Sequence, residues 1–108
     1  RSFVLRIITL AQALPNTALG RIVRDQLLRC GASTGSNYRA AKRAKSNADF
    51  ISKMGTVEEE ADECMFWMEI IVDAGLMQER LVKDLYNEAD EILAMVVASI
   101  RTAKRRKQ

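Results

Sequence analysis

Residues 46–75 read SNADFISKMGTVEEEADECMFWMEIIVDAG, and the spacing within this stretch decides the fold. Ser46 followed three residues later by Asp49, just before an apolar run, is the sequence mark of a capped helix N-terminus. Apolar or small residues then recur at Phe50, Met54, Val57, Ala61, Cys64, Met68, Ile71 and Gly75, alternating steps of four and three. A repeat near 3.5 residues keeps one stripe turned towards a neighbouring helix that crosses at a shallow, left-handed angle. Gly75 stands where glycine ends helices. The stretch predicts a long helix over 47–74 that needs a partner along its whole length.

The same alternation runs upstream. Leu19, Val23, Gln26, Cys30, Ser33, Asn37, Ala40 and Ala44 share one stripe and predict a helix over 17–45. Pro15 stops an apolar segment over 2–14, and Asn16 or Thr17 can cap the helix after it. Downstream, Leu81, Leu85, Ile92, Val96 and Ile100 mark the buried side of a helix over 78–104. No strand-like alternation interrupts these segments. The short connections at Pro15, Ser46 and Gly75 set successive helices antiparallel. The expected fold is all-α, an up-down-up-down four-helix bundle, as one domain over 1–108 with a basic tail at 101–108. Residues 31–37, Gly-Ala-Ser-Thr-Gly-Ser-Asn, read locally as a loop, yet the stripe keeps its phase across them and favours unbroken helix.

Composition narrows the chemistry. At 108 residues, 48% hydrophobic and with a single Pro, the chain can build a core without staples. It has no histidine. That removes Ser/His and Cys/His nucleophiles, His-containing zinc sites and the Glu-x-x-His di-iron bundle. Carboxylates such as Glu59 and Glu63 lack a nucleophile or base to work with, so neither an enzyme nor a metal or cofactor site is expected. Cys30 and Cys64 form no CxxC pair and are expected as reduced core residues. Ala11-Gln12-Ala13 imitates a signal-cleavage site, but Arg6 interrupts the apolar run before it. The longest apolar window, Ile92 to Ile100, falls far short of the roughly 20 residues of a membrane span. A cytoplasmic protein that meets no membrane is expected, with residues upstream of Arg1.

The net charge of +3 hides a division. Residues 1–48 carry nine basic and one acidic side chain, residues 49–91 three basic and thirteen acidic, and residues 92–108 five basic and none acidic. Arg21, Arg24, Arg39, Lys42 and Lys45 lie opposite the stripe of their helix; Arg101, Lys104, Arg105, Arg106 and Lys107 crowd the tail. Such a face and tail can track phosphates. Alternatively, the basic helix meets an acidic one, of the same or another subunit, and the tail is merely solvated.

Two further features are open to two readings. Gln26, Ser33 and Asn37 fall in the buried stripe, where they surround a ligand or, as the better-supported reading, set register by hydrogen bonds between helices. Met65, Phe66, Ile70 and Val72 point off the stripe of residues 47–74. Either that helix is more buried than its stripe implies, or these side chains form a subunit interface, which is the expectation here.

Several spaced motifs resemble one family. The run from Ser33 to Phe50, STGSNYRAAKRAKSNADF, resembles the S-x-G-x-N-Y-x-x-A-x-x-A-x-S-x-x-D-F signature of the S23 or 23S rRNA intervening-sequence proteins. Glu60 to Met68 is similar to that family's E-A-x-E-T-x-Y-W-L block, and Leu14-Pro15 and Gln26-Leu27-Leu28-Arg29 fall at its Leu-Pro break and Gln-Leu-Leu-Arg run. Ala40 stands where the family usually has Glu, and Glu59 where it has Lys, so any charge pair between those positions is absent. The resemblance implies a four-helix bundle in a ring-like homopentamer. It also implies likeness to the accessory variability determinant of diversity-generating retroelements, which binds nucleic acid beside a reverse transcriptase. It supplies no catalytic residues. The combined expectation is a non-enzymatic homo-oligomer that binds RNA or DNA without reading sequence. The alternative is a protein-binding scaffold.

Overall fold

Two of the helices begin on capping side chains that the sequence provides. In a computed structural model, which describes residues 2–106, Thr17 caps the second helix by accepting the Gly20 N–H at 3.0 Å, and Ser46 caps the third by accepting that of Asp49 at 3.0 Å. The helices are α1 (Ser2–Gln12), α2 (Ala18–Lys42), α3 (Asn47–Asp73) and α4 (Lys83–Arg106). After α3, Gly75 takes φ +71°, and the N–H groups of Gly75 and Leu76 return to the Val72 and Ile71 carbonyls, closing the helix in a Schellman turn. No strand occurs among the described residues, and the chain is an all-α four-helix bundle measuring 50 × 20 × 19 Å. Residues 31–37 are continuous helix.

The stripe of α3 is buried from Met54 to Ile71 as its spacing predicts; Phe50 is half-buried and Gly75 exposed. The stripe of α2 needs correction. Its buried residues are Gly20, Val23, Leu27, Cys30, Gly31, Thr34 and Ala41, whereas Leu19 is 41% exposed and Ser33, Asn37, Ala40 and Ala44 are only half-buried. The helix is turned because it has two neighbours, α3 and α1, and it meets α1 through glycine. A Cβ at Gly31 would stand 2.6 Å from Ile7 Cγ2, and one at Gly35 would stand 2.5 Å from Val4 Cγ2. Glycine therefore sets how closely α1 approaches. The polar residues do not bridge helices either: Asn37 Nδ2 donates to the Ser33 carbonyl and Oγ, and Gln26 accepts from Arg29, all within α2.

The fourth helix also starts later than expected. Residues 79–81 form a 3₁₀ turn, whose tighter winding changes the phase, so Leu81 is 54% exposed and Val82 takes its place in the core. Leu85 and Val96 are buried, and Ile92 and Ile100 half-buried, as their spacing predicts.

Unequal helix lengths divide the interior. The 11 residues of α1 lie against only part of α2, which has 25. The larger core cluster joins Phe3, Ile7 and Leu10 of α1 to Val23, Leu27 and Cys30 of α2, Cys64, Met68 and Ile71 of α3, and Leu85 and Ala89 of α4. A smaller cluster of Ala41, Met54, Val57 and Val96, edged by Tyr38, Phe50, Ile92 and Ile100, is built from α2, α3 and α4 alone.

Candidate functional site

Antiparallel packing brings three chain segments to the three-helix end: the last turns of α2, the first turns of α3 and the last turns of α4. A direct bond marks the meeting, with Asn47 Nδ2 donating to the Ala103 carbonyl at 2.7 Å. Residues 39–54 and 98–106 bring Arg39, Lys42, Arg43, Lys45, Lys53, Arg101, Lys104, Arg105 and Arg106 to this end, against a single carboxylate, Asp49. All of the cations except Lys53 are exposed.

Within this end, a shallow notch of about 370 Å³ opens at the turn between α2 and α3, lined by Ser36, Arg39, Ala40, Arg43, Lys45, Asp49 and Lys53. Asp49 is anchored in it. Its Oδ1 accepts from Lys53 Nζ at 2.5 Å, and its Oδ2 from the Lys45 backbone N–H at 3.3 Å. The bond from Lys53, then the one from Lys45, holds this carboxyl below the usual carboxylate range. The capping pair is thus only half reciprocal, because Asp49 accepts from Lys45 rather than from Ser46. Arg39 and Arg43, one turn apart on α2, make no ion pair among the described residues. Lys42 lies over the Tyr38 ring, 4.7 Å from its centroid. Guanidinium groups left unpaired in a notch are suited to forked hydrogen bonds with phosphate oxygens. Cations in the last turn of a helix also favour its dipole, so part of this cluster serves α2 and α4 themselves.

The structure separates residues that charge alone had grouped. Arg21 and Arg24 sit near the start of α2, where Arg21 Nη1 donates to Asn16 Oδ1 at 3.3 Å and Arg24 pairs with Asp25 at 3.2 Å. Fifteen residues of helix, about 22 Å, lie between Arg24 and Arg39. Arg43 and Lys53 belong to the notch but were not singled out from the sequence; the i, i+4 relation of Arg43 to Arg39 was the available signal. Lys107 lies outside the described residues.

Elsewhere the surface is mainly acidic. Six basic and thirteen acidic side chains occupy the remaining described positions. Arg29 pairs with both Glu60 and Glu63, and Glu63, held below the usual carboxylate range chiefly by Arg29, also accepts from Trp67 Nε1 at 3.3 Å. Tyr86 donates to Glu69 at 2.6 Å; that bond, with burial, pushes its pKa up to about 12. Beside it runs a cleft of about 390 Å³ whose lining includes Glu69, Asp73 and Glu79. Phe66 is 49% exposed and stacks edge-on against Trp67 at 4.9 Å. Ile70 and Val72 are half-buried against the larger core, whereas Met65 is packed inside it. Leu5 and Ile22 are exposed apolar residues with no distinguishing spacing. No group of three metal-ligating side chains occurs among the described residues, and none of their helices is long and apolar enough to cross a membrane.

Comparison with known proteins accords with this architecture. A family model for the 23S rRNA-intervening sequence protein matches residues 1–98. A crystal structure of a protein of unknown function from the S23 ribosomal protein family of Bacteroides thetaiotaomicron is similar, with 31% identity and a TM-score of 0.85 over 92% of each chain. No curated protein matches the chain.

Proposed function

Because the chain belongs to the 23S rRNA-intervening sequence protein family, we propose that it is a non-enzymatic helical-bundle protein whose basic end binds the phosphate backbone of RNA or DNA. One observation carries the reading: three separate segments deliver nine cations and one carboxylate to the same end of the bundle. Arg39 and Arg43 grip phosphate oxygens at the notch, while Lys42, Lys45, Arg101, Lys104, Arg105 and Arg106, continued by Lys107, supply a non-specific field. Arg21 and Arg24, at the start of α2, play a lesser part. Among the described residues of this end the two aromatics, Tyr38 and Phe50, are half-buried and offer no open stacking platform, so the binding ignores sequence. The protein acts in the cytoplasm as an accessory to RNA or to a reverse transcriptase.

In the same reading the chain assembles as a homo-oligomer, a ring-like pentamer, through Phe66, Ile70 and Val72. Several copies of a weak phosphate site then act together. The rival reading, a protein-binding scaffold, draws on the same exposed Phe66 and on the acidic surface.

Binding of labelled RNA and DNA across a salt series tests the proposal. Wild type should bind at low salt and weaken steeply as salt rises. Per subunit engaged, Arg39→Ala with Arg43→Ala should flatten the log–log slope by about two units. Absence of binding at low salt, or a slope indifferent to these arginines and to neutralising the tail, rejects the proposal in favour of the scaffold. Light scattering on the eluted protein checks the assembly; a 12.1 kDa monomer at micromolar concentration would remove the ring.

A further inference from the structure

Cys30 of α2 and Cys64 of α3 face each other inside the larger core. Their sulfurs are 3.2 Å apart, and neither residue exposes any surface. Both are free thiols. The Cys64 thiol donates to Cys30 Sγ, and Cys30 Sγ in turn donates to the Leu27 carbonyl at 3.6 Å. Thr34 Oγ1 donates to the Cys30 carbonyl at 2.7 Å and lies 3.9 Å from Cys64 Sγ. The hydrogen bond with Cys64, then burial, pushes the Cys30 thiol up from its ordinary range.

A disulfide holds its sulfurs about 2.05 Å apart. Closing the pair therefore needs about 1.2 Å of approach between side chains already directed at one another. We propose that Cys30 and Cys64 form a modification site for a small, neutral two-electron oxidant, of which hydrogen peroxide is the type, and that oxidation joins α2 to α3 through the core. One sulfur attacks the peroxide, taking one oxygen to become a sulfenic acid and releasing the other as water. The second sulfur then displaces the sulfenic oxygen as a second water. Overall two thiols and one peroxide give one disulfide and two waters, and the two electrons lost by sulfur reduce the peroxide bond.

Burial defines the oxidant class. With no sulfur surface open to solvent, a bulky disulfide or a protein oxidase cannot seat on either atom, whereas peroxide can enter during brief local openings. Once formed, the bond lies beyond the reach of bulky thiols for the same reason and reopens slowly.

The test treats reduced wild-type protein with hydrogen peroxide, quenches with catalase, then unfolds it in alkylating reagent for mass analysis. The expected product is a monomer lighter by two hydrogen atoms, with neither cysteine alkylated, restored by dithiothreitol under unfolding conditions. Its thermal midpoint should rise by about 10 °C or more, because the unfolded chain is cross-linked. In Cys30→Ser protein the same treatment should only add oxygen at Cys64. Three outcomes overturn the proposal: oxygen added to wild type without loss of hydrogen, disulfides formed between chains, or both thiols alkylated when the peroxide-treated protein is unfolded.

Discussion

The two ends of this bundle are built on opposite terms. Where α1 is present, four helices enclose the larger core, glycines draw α1 against α2, and the surface is mostly acidic with cations distributed among the carboxylates. Where α1 is absent, three helices share a core of four buried residues, and among the described residues nine cations face a single carboxylate. Like charge is thus concentrated where apolar burial is thinnest. Such an arrangement favours a polyanion at that end, because bound phosphate would relieve the repulsion that folding creates there. The lesson is that stability and surface charge are apportioned separately along one set of helices.

The same substitution made in the two halves should cost unequal amounts of stability. Met68 and Met54 are both fully buried on α3, one in each core cluster. Met68→Ala should cost about 4 kcal/mol and Met54→Ala about 2 kcal/mol, since the thinner end can collapse into the space left. Urea unfolding measures both, and equal costs would show that the two halves are equally packed.

Glycine substitutions sharpen the contrast at smaller amplitude. Gly31→Ala drives a Cβ to 2.6 Å from Ile7 Cγ2 and should destabilise by about 1–2 kcal/mol despite better helix propensity. Gly55, on the three-helix side of α3, has nothing within 4 Å of an added Cβ, so Gly55→Ala should stabilise by up to about 1 kcal/mol. Thermal unfolding should move in opposite directions for the two variants.

Asp49 gives the smallest effect, and its sign comes from its lowered pKa. Its contribution is present above the unfolded carboxylate value of about 3.9 and is lost as pH falls through the folded value below it. Asp49→Asn should therefore lower the thermal midpoint slightly at pH 7 and leave it unchanged near pH 2. The same variant removes the one carboxylate from the notch, so it should tighten nucleic-acid binding at fixed salt.

The reading of α3 succeeded because its buried positions are apolar and in phase. That of α2 failed on one face for a definable reason: the contact with α1 made by Gly31 and Gly35 carries no hydrophobic signal, although it lets the two helices approach closely. Leu81 was misplaced because a single 3₁₀ turn shifts the phase without any distinctive residue to announce it. The basic cluster was legible as a tally of charges but not as a place. Arg21 and Arg24 share a helix with Arg39 yet sit towards its other end, whereas Lys53 joins Arg39 only because the chain reverses at Ser46. Similarly, the spacing of Cys30 and Cys64 reveals nothing of their contact until α2 and α3 are laid side by side.

A rod 50 Å long whose described residues put nine cations and one carboxylate at one end, and thirteen carboxylates against six cations elsewhere, is a large electric dipole. In dilute salt such a molecule turns before it touches anything. A polyanion would be met end-on, so fewer encounters are wasted in wrong orientations and the association rate rises. The effect fades once the Debye length, about 8 Å at physiological ionic strength, is short against the rod. Orientation, more than strength of attachment, is what the placing of the charges governs.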